Sequence, residues 1–252
     1  MNDFISSFFN IELMLQVLPN ILTYGLVNTL IISLSATALG ILIGLIIAVM
    51  AVSGNRVAGW FARVYTDILR GLPAILTILL IGSALAQPLY GVTGGNPYLL
   101  AIIALSLISG AYIGEIFRAS IQSIDKGQME ASRALGMSYG PSMRLVVVPQ
   151  AVRQVLPSLM NQFIGVVKDS SLVYVLGLLA EQRDLFRIGQ DASINFGNLS
   201  PLVVAGCFYL VITIPLTHVV NLVDRKMRVG KKVRVALDPA KELTTGPSPI
   251  KR

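Results

Sequence analysis

The sequence predicts an all-α polytopic membrane protein with five transmembrane helices. Of its 252 residues, 54% are apolar and only 13% are charged, whereas soluble domains carry about 25% charged residues. Uncharged stretches of 43, 44 and 32 residues separate the charges, at residues 13–55, 71–114 and 192–223. A transmembrane helix needs about 20 mostly apolar residues, so these stretches have the length of membrane spans.

Turn residues and polar breaks divide these stretches into individual spans. The longest stretch is divided by Gln87-Pro88 and by the cluster from Gly91 to Pro97, which ends one helix and starts another. A fourth apolar run is interrupted by Lys168-Asp169-Ser170-Ser171, and we still assign it as a span. The five predicted spans are residues 23–52, 73–89, 98–117, 155–180 and 201–223. Together with the polar loop 118–153 they form one transmembrane domain, residues 1–230, followed by a basic tail rich in Pro, Ser and Thr, residues 231–252, that we expect to be disordered.

The distribution of basic residues predicts the orientation, because short loops rich in Lys and Arg stay in the cytoplasm. With the amino terminus outside and the carboxyl terminus inside, seventeen Lys and Arg residues are cytoplasmic and two, Arg183 and Arg187, are outside. Membrane topology therefore accounts for the net charge of +7 without a nucleic-acid partner. We expect a multi-pass protein of the cytoplasmic membrane of a prokaryote, in contact with lipid.

Composition excludes several kinds of chemistry. One Cys and one His in the whole chain provide neither a disulfide framework nor a zinc site, so no metal or other cofactor is expected. No Gly-x-x-x-x-Gly-Lys-Ser/Thr sequence occurs, and the chain therefore lacks the loop that cradles the phosphates of ATP.

The loop between the third and fourth spans contains a short segment of good helix formers that ends at a glycine. The glycine suits a left-handed helix cap, so the segment predicts a short exposed helix. A second helix start follows at Tyr139-Gly140-Pro141-Ser142. The residues assigned to the first helix and its end are Gln128, Glu130, Ala131, Ser132, Arg133, Ala134, Leu135, Gly136 and Met137.

This segment resembles the EAA motif of permease subunits of ABC importers. The matching residues are Glu130-Ala131-Ser132, then Gly136, then Val146-Val147-Val148-Pro149, with Ser in place of the second Ala and Val in place of Ile and Leu. The resemblance implies that the helix inserts into a groove on a separate ATPase subunit. Small side chains and a sharp glycine turn suit such a joint.

Flanking motifs resemble the polar amino acid permeases within that superfamily, over roughly residues 15 to 230. The motifs are Arg70-Gly71-Leu72-Pro73, Tyr112-Ile113-Gly114-Glu115-Ile116-Phe117-Arg118, Gly127-Gln128, Pro149-Gln150-Ala151-Val152-Arg153, Leu156-Pro157 with Asn161, and Lys168-Asp169-Ser170-Ser171-Leu172. The resemblance implies the type I ABC importer permease fold and a pathway formed by two permease chains, identical or homologous. It also implies a dimer of ATPase subunits that bind ATP and Mg²⁺, and an extracytoplasmic amino acid binding protein that docks around residues 181–198.

Ionisable residues inside the fourth span are the candidate substrate contacts. A charge inside a membrane span is costly and is a functional-site hypothesis by default. Helical spacing places Asn161, Lys168 and Ser171 on one face, with Gln162 and Asp169 on the next stripe and Ser170 beside them. Adjacent helical residues do not face each other, so Lys168 and Asp169 each need another partner. The carboxylate and ammonium of an amino acid would meet both needs.

Alternatives remain open at this stage. Lys168 could pair with a carboxylate on another helix, or the Ser170-Ser171 step could mark a bend at a subunit seam. Glu115 and Arg118 suit a local surface pair better than substrate contact. Gly40 and Gly44 favour close helix packing within one subunit over dimerisation.

Two other classes of function compete with the importer. A self-sufficient secondary transporter or channel would need no coupling loop, and an inverted repeat would favour it, but five spans are odd in number. A membrane enzyme could use Ser170 or Ser171 with Lys168 as nucleophile and base, although no second motif supports that chemistry. The sequence leaves the identity of the substrate open.

Overall fold

The computed structural model describes residues 6–236, and all regular secondary structure in this range is helical. The first half contains α1 (Ile11–Asn20), α2 (Leu26–Val52), α3 (Arg56–Gly71), α4 (Ala74–Ala86) and α5 (Pro97–Gln122). The second half contains α6 (Lys126–Ala134), α7 (Val148–Asp169), α8 (Leu185–Phe196) and α9 (Ser200–Ala236). Single turns of helix at Tyr90–Thr93 and Tyr139–Ser142, π-helical segments at Ile21–Gly25 and Met143–Val147, and 3₁₀ segments at Ser170–Leu176 and Ala180–Gln182 join them.

Side-chain caps fix where several helices begin. The Asn55 side chain accepts hydrogen bonds from the first free amides of α3, and Asn96 does the same for α5. Asp125 caps α6 and Asp184 caps α8. Each cap satisfies amide groups that have no partner within the helix, so these short polar residues set the boundaries.

Helices α2 and α5 form a tightly packed parallel pair at the centre of the molecule. A Cβ atom at Gly40 would lie 3.3 Å from the Gly110 amide nitrogen, and one at Gly44 would lie 2.8 Å from the Gly114 nitrogen. The four glycines therefore face each other across the pair and let the two backbones touch. This contact confirms that Gly40 and Gly44 serve packing within one subunit.

Three further elements surround this pair. Ile78 of α4, Val166 of α7 and Val173 of the following 3₁₀ segment pack into one core with α2 and α5. Val155 packs near the opposite end, against Ala48, Ile113 and Phe117. Helix α7 therefore runs antiparallel to α5. We call the end of the bundle that contains Tyr98 the Tyr98 end, and the opposite end, which contains Gly136, the Gly136 end.

A second core lies at the Tyr98 end and joins α1 and the π-helical segment after it to α8 and α9. It consists of Val17 and Ile21 from the start of the chain, Leu185 and Ile188 from α8, and Ala205 from α9. The Asn10 amide donates to the Ser200 hydroxyl at 2.8 Å. The core and this hydrogen bond therefore fix α1 to α8 and to the first residue of α9.

Within residues 6–236, three helices are long and apolar enough to cross a membrane: Ser6–Val52, Pro97–Gln122 and Ser200–Lys226. A fourth crossing is counted if the pair Arg56–Gly71 and Ala74–Ala86, bent by 116°, forms one span. The five-span topology stays a prediction. Helix α7 is absent from this set, because amide and charged side chains such as Asn161, Gln162 and Lys168 lower its hydropathy.

The helix bounds differ from the predicted spans at three places. Residues 56–71, expected as part of a cytoplasmic connection, form α3. The fourth predicted span, 155–180, begins earlier and ends earlier, because α7 starts at Val148 and changes to a 3₁₀ segment after Asp169. Helix α9 continues through Ala236; the remainder of the predicted disordered tail lies outside the described residues.

Candidate functional site

The candidate site lies where α7 ends. The Ser170 hydroxyl donates to the Val167 carbonyl at 2.8 Å, and the Ser171 hydroxyl donates to the Lys168 carbonyl at 2.7 Å. These bonds satisfy carbonyl groups of the last helical turn, which otherwise lack partners. The following 3₁₀ segment ends at Gly177, whose φ of 75° requires the left-handed conformation that glycine tolerates.

The structure separates the six predicted contact residues into two groups. Asn161 and Lys168 are exposed on one side of α7. Gly165 lies between them, and a Cβ atom built on it would meet no neighbouring element within 4 Å. Gln162, Asp169 and Ser171 are half-buried, and Ser170 is fully buried. Lys168 lies on the last turn of α7, about 30 Å along the helix from its first residue.

Lys168 has no ion-pair partner among the described side chains. The ion pairs within this range join Arg118 to Glu115, Arg183 to Asp191, and Arg187 to Asp191. Since Lys168 is exposed, its ammonium group is accessible to a ligand. The nearest carboxylate in the sequence, Asp169, lies on the adjacent stripe and is half-buried.

A buried polar cluster next to this helix end was not predicted from the sequence. The Tyr209 hydroxyl of α9 donates to the Asp184 carboxylate at 3.2 Å, and the Leu185 amide donates to the Thr29 hydroxyl at 3.1 Å. The Asn28 side-chain amide donates to the carbonyls of Glu181 and Arg183. Polar groups of α2, α9 and the segment before α8 therefore meet in the interior.

Burial raises the pKa of the Asp184 carboxyl to about 6, against the hydrogen bonds from the Arg187 and Phe186 amides and the Tyr209 hydroxyl, which lower it. Burial disfavours the charged form, whereas hydrogen bonds to the carboxylate favour it. Asp184 is thus ionised at neutral pH and gains a proton under mildly acidic conditions.

A signal for part of this cluster exists in the sequence. Asn28 is the most polar residue of the first predicted span, 23–52, and such a side chain is expected to face a partner. Nothing local in the sequence identifies that partner, because Tyr209 and Asp184 lie more than 150 residues away along the chain.

Glu115 and Arg118 form the predicted local pair, and the Arg118 Nε donates to Glu115 at 2.8 Å. The Arg70 guanidinium lies 5.3 Å from the centre of the Tyr112 ring, a cation–π geometry. Arg70, Tyr112 and Glu115 line an open cavity of about 380 Å³ together with Ser158 of α7. The Arg70-Gly71-Leu72-Pro73 and Tyr112–Arg118 motifs therefore meet in space.

A second cavity, of about 410 Å³, opens at the Tyr98 end between α1 and α8. Glu181, Arg183 and Asp191 provide charged groups in its wall. Arg183 and Arg187 both pair with Asp191 at 3.1 Å. The cavity wall therefore includes part of the segment where docking of a binding protein is expected.

The predicted coupling helix forms α6 at the Gly136 end. Gly136 has a φ of 86°, and no atom lies within 4 Å of a Cβ built on it. The Met137 amide donates to the Ser132 carbonyl at 3.2 Å and closes the turn. The Gln128 side chain accepts a hydrogen bond from Gln150, so the helix is joined to the start of α7.

Most of the predicted coupling residues are accessible to a partner. Those exposed are Gln128, Glu130, Ala131, Arg133, Ala134, Leu135 and Gly136, and Met137 is half-buried. Ser132 is the exception, since it is 4% exposed and its hydroxyl donates to the Met129 carbonyl. Its small side chain packs within this chain and does not contribute to the exposed surface.

The part of the chain that the structure describes contains no candidate metal site. No group of three or more His, Cys, Asp or Glu side chains there could hold a metal ion. The arrangement consists instead of an exposed cation at a helix end and an exposed helix at the opposite end of the bundle.

The long apolar helices are those of a multi-pass membrane protein. Residues 40–229 match the family of binding-protein-dependent transport system inner membrane components. The match covers more than half of the chain, which therefore belongs to this family. Its relatives are permease subunits of ABC transporters rather than enzymes, and ATP is hydrolysed by a separate ATPase.

Relatives named as amino acid permeases are similar over most of their length. The arginine transport system permease protein ArtQ of Bacillus subtilis is 37% identical over 204 residues, 81% of this chain and 91% of that protein. The glutamate/aspartate import permease protein GltK of Escherichia coli is 38% identical, covering 80% of this chain and 91% of that protein. These names confirm the predicted family of polar amino acid permeases.

Solved structures agree with the fold. A crystal structure of an amino acid ABC transporter with histidines superposes with a TM-score of 0.75 and 34% identity, covering 84% of this chain and 96% of that one. The MetNI methionine ABC transporter has a TM-score of 0.69 at 19% identity, covering 82% and 97%, which supports the fold alone. The type I ABC permease fold is thus confirmed at the level of architecture.

Proposed function

We propose that this chain forms the substrate pathway of an ATP-driven importer for polar amino acids. Family membership and the names of the relatives support the class of transporter. The observation specific to this chain is Lys168, an exposed cation at a helix end in a membrane permease, without an ion-pair partner among the described residues.

Lys168 and Asp169 together suit a zwitterionic substrate. The Lys168 ammonium would bind the substrate carboxylate, and Asp169 on the neighbouring stripe would bind the substrate ammonium. Asn161, about two turns before Lys168 on the same exposed side, would add a polar contact, whereas the buried Ser170 would support the helix end from within. Charge-assisted hydrogen bonds of this type are stronger than neutral ones, which favours an amino acid over an uncharged solute.

Helix α6 and its Gly136 turn would couple the pathway to the ATPase. The exposed residues of α6 provide the contact surface, and Leu135, Tyr139 and Leu145 add exposed apolar side chains beside it. An ATPase dimer that binds ATP and Mg²⁺ would lie against this cytoplasmic end. The amino acid binding protein would dock at the Tyr98 end, around residues 181–198.

Two permease chains would enclose the pathway, since each chain contributes few spans. The exposed side of α7 around Lys168 would line the space between them. The partner chain is identical or homologous, and the amino terminus lies outside, as the excess of basic residues at the Gly136 end and in the tail indicates.

Uptake by reconstituted vesicles tests this function. The permease, the ATPase and the binding protein are placed in proteoliposomes, and uptake of labelled arginine, histidine, glutamine and glutamate is measured with ATP inside. We expect uptake of at least one of them that requires both ATP and the binding protein. Equal uptake without the ATPase subunit would contradict the proposal and favour a self-sufficient transporter.

A further inference from the structure

Tyr209 contacts three other elements at the end of α7. Its hydroxyl donates to the Asp184 carboxylate at 3.2 Å, and the Ser170 and Thr29 side chains lie near the same hydroxyl. Ser170, Asp184 and Thr29 have no exposed surface. The four side chains come from α9, the first residue after α7, the segment before α8, and α2.

This cluster holds the residue at which α7 stops being an α-helix. Ser170 is the first residue of the 3₁₀ segment, and Lys168 and Asp169 are the two residues before it. The Leu185 amide donates to the same Thr29 hydroxyl, so α2 and α8 are fixed relative to the break. Buried polar groups that are all satisfied favour one arrangement of the chain.

We propose that Tyr209 is a positioning residue for substrate recognition: its hydroxyl holds the break after Asp169 and so sets the direction in which Lys168 and Asp169 point. The inference rests on the proposed role of these two residues. Tyr209 itself acts from the interior, through Ser170 and Asp184, and has no direct contact with the substrate.

The ionisation of Asp184 allows this arrangement to be tested through the pH dependence of uptake. The Asp184 carboxyl has a pKa of about 6, so at neutral pH its carboxylate accepts the hydrogen bond from the Tyr209 hydroxyl. Protonation makes it a weaker hydrogen-bond acceptor. Its charged neighbours along the chain, Arg183 and Arg187, are both paired with Asp191, and Tyr209 is the titratable group that faces it from α9. Removal of a hydrogen bond to the carboxylate raises its pKa.

The test compares two tyrosines in the reconstituted transporter. Tyr209→Phe removes the hydroxyl from the cluster, whereas Tyr65→Phe removes a hydroxyl that donates to the Leu107 carbonyl at 2.7 Å, away from the break. Initial uptake of the labelled amino acid that the wild-type transporter imports is measured against its concentration, with binding protein at saturation, between pH 5 and 8. Basal ATP hydrolysis is measured in parallel.

We expect the KM of Tyr209→Phe to rise about tenfold, the effect of one hydrogen bond to a charged group. Basal ATP hydrolysis should stay near the wild-type rate, and the pH at which uptake declines on acidification should move upward. Tyr65→Phe should retain the wild-type KM and midpoint. In Asp184→Asn, which has no titrating carboxyl, the decline with a midpoint near pH 6 should disappear.

Other outcomes overturn the inference. If Tyr209→Phe matches Tyr65→Phe in both KM and pH midpoint, the hydroxyl has no positioning role. If Tyr209→Phe fails to assemble, its role is structural, and retention of the acidic decline in Asp184→Asn would contradict the inference independently. Lys168→Met separates the two proposals: unchanged uptake there would refute the substrate site itself, whereas lost uptake there with a normal Tyr209→Phe would refute positioning alone.

Discussion

Lys168 is exposed and forms no ion pair with a described residue, so its removal breaks no salt bridge among those residues. Lys168→Met keeps the length of the side chain and removes its charge. We expect uptake and substrate retention to be lost, with subunit assembly and basal ATP hydrolysis preserved. Co-purification of the subunits and vesicle uptake measure the two effects separately.

A structural role for Lys168 would have a different result. Breaking a buried ion pair costs about 3–5 kcal/mol, so the complex itself would be lost. Asp169→Asn makes the same distinction for the carboxylate, because a substrate contact would affect uptake and a subunit contact would affect assembly. A well-assembled Lys168→Met variant with normal uptake would refute both roles.

Single residues show which contacts can be predicted from the sequence and which cannot. The Glu115–Arg118 pair and the left-handed Gly136 follow from local spacing, and both are present. The inward orientation of Ser132 and the cluster around Tyr209 depend on residues far apart in the chain, and local patterns carry no information on such contacts.

At the scale of helices, the contact between α2 and α5 depends on glycine. A Cβ at Gly44 would lie 2.8 Å from the Gly114 nitrogen, a backbone atom that cannot move alone. We expect Gly44→Val to lower the free energy of unfolding by about 1–3 kcal/mol, as overpacking does, measured by thermal unfolding in detergent. Gly206→Val in α9, where no atom lies within 4 Å, is the matched control; an equal loss there would refute the packing role.

The turn after α6 also needs glycine, for its backbone conformation rather than for space. Gly136→Val places a β-branched residue at a φ of 86°, which costs about 1–2 kcal/mol and should displace α6. We expect transport to fall while the protein remains inserted, measured by uptake and by the amount of permease in the membrane.

Gly140→Ala, in the next helical turn, is the control for this variant, since its Cβ meets no atom within 4 Å. It should transport normally. Normal transport and normal ATPase association in Gly136→Val would show that α6 is not the coupling helix.

Sequence patterns predicted which helices exist better than where they end. Hydropathy located α2, α5 and α9, which are long and apolar. Residues 56–71 were placed only as part of a cytoplasmic connection, because three Arg residues lie in it, and no helix was predicted there. Helix α3 packs on α2 and α5, with Ala62 and Thr66 buried. Helix α7 ends at Asp169 because the Ser170 and Ser171 hydroxyls close its last turn, a side-chain effect that hydropathy does not record.

For the whole molecule, the orientation of the bundle is a prediction that labelling can test. Single cysteines at Gly94 and Asn195 should react with an impermeant reagent from outside, and one at Ser138 should not. The exposed native Cys207 is first replaced by Ser. If only the cysteine at position 138 is labelled, the topology is the reverse of the predicted one.

The central claim is that the Gly136 end contacts the ATPase and the Tyr98 end faces away from it. Leu135 and Val92 are matched probes, at 85% and 84% exposure near the two ends. A photo-reactive amino acid is placed at each position in turn in the assembled transporter, and the cross-linked subunit is identified by mass spectrometry. We expect position 135 to cross-link to the ATPase and position 92 not to; cross-linking of the ATPase from position 92 and not from position 135 would contradict the claim.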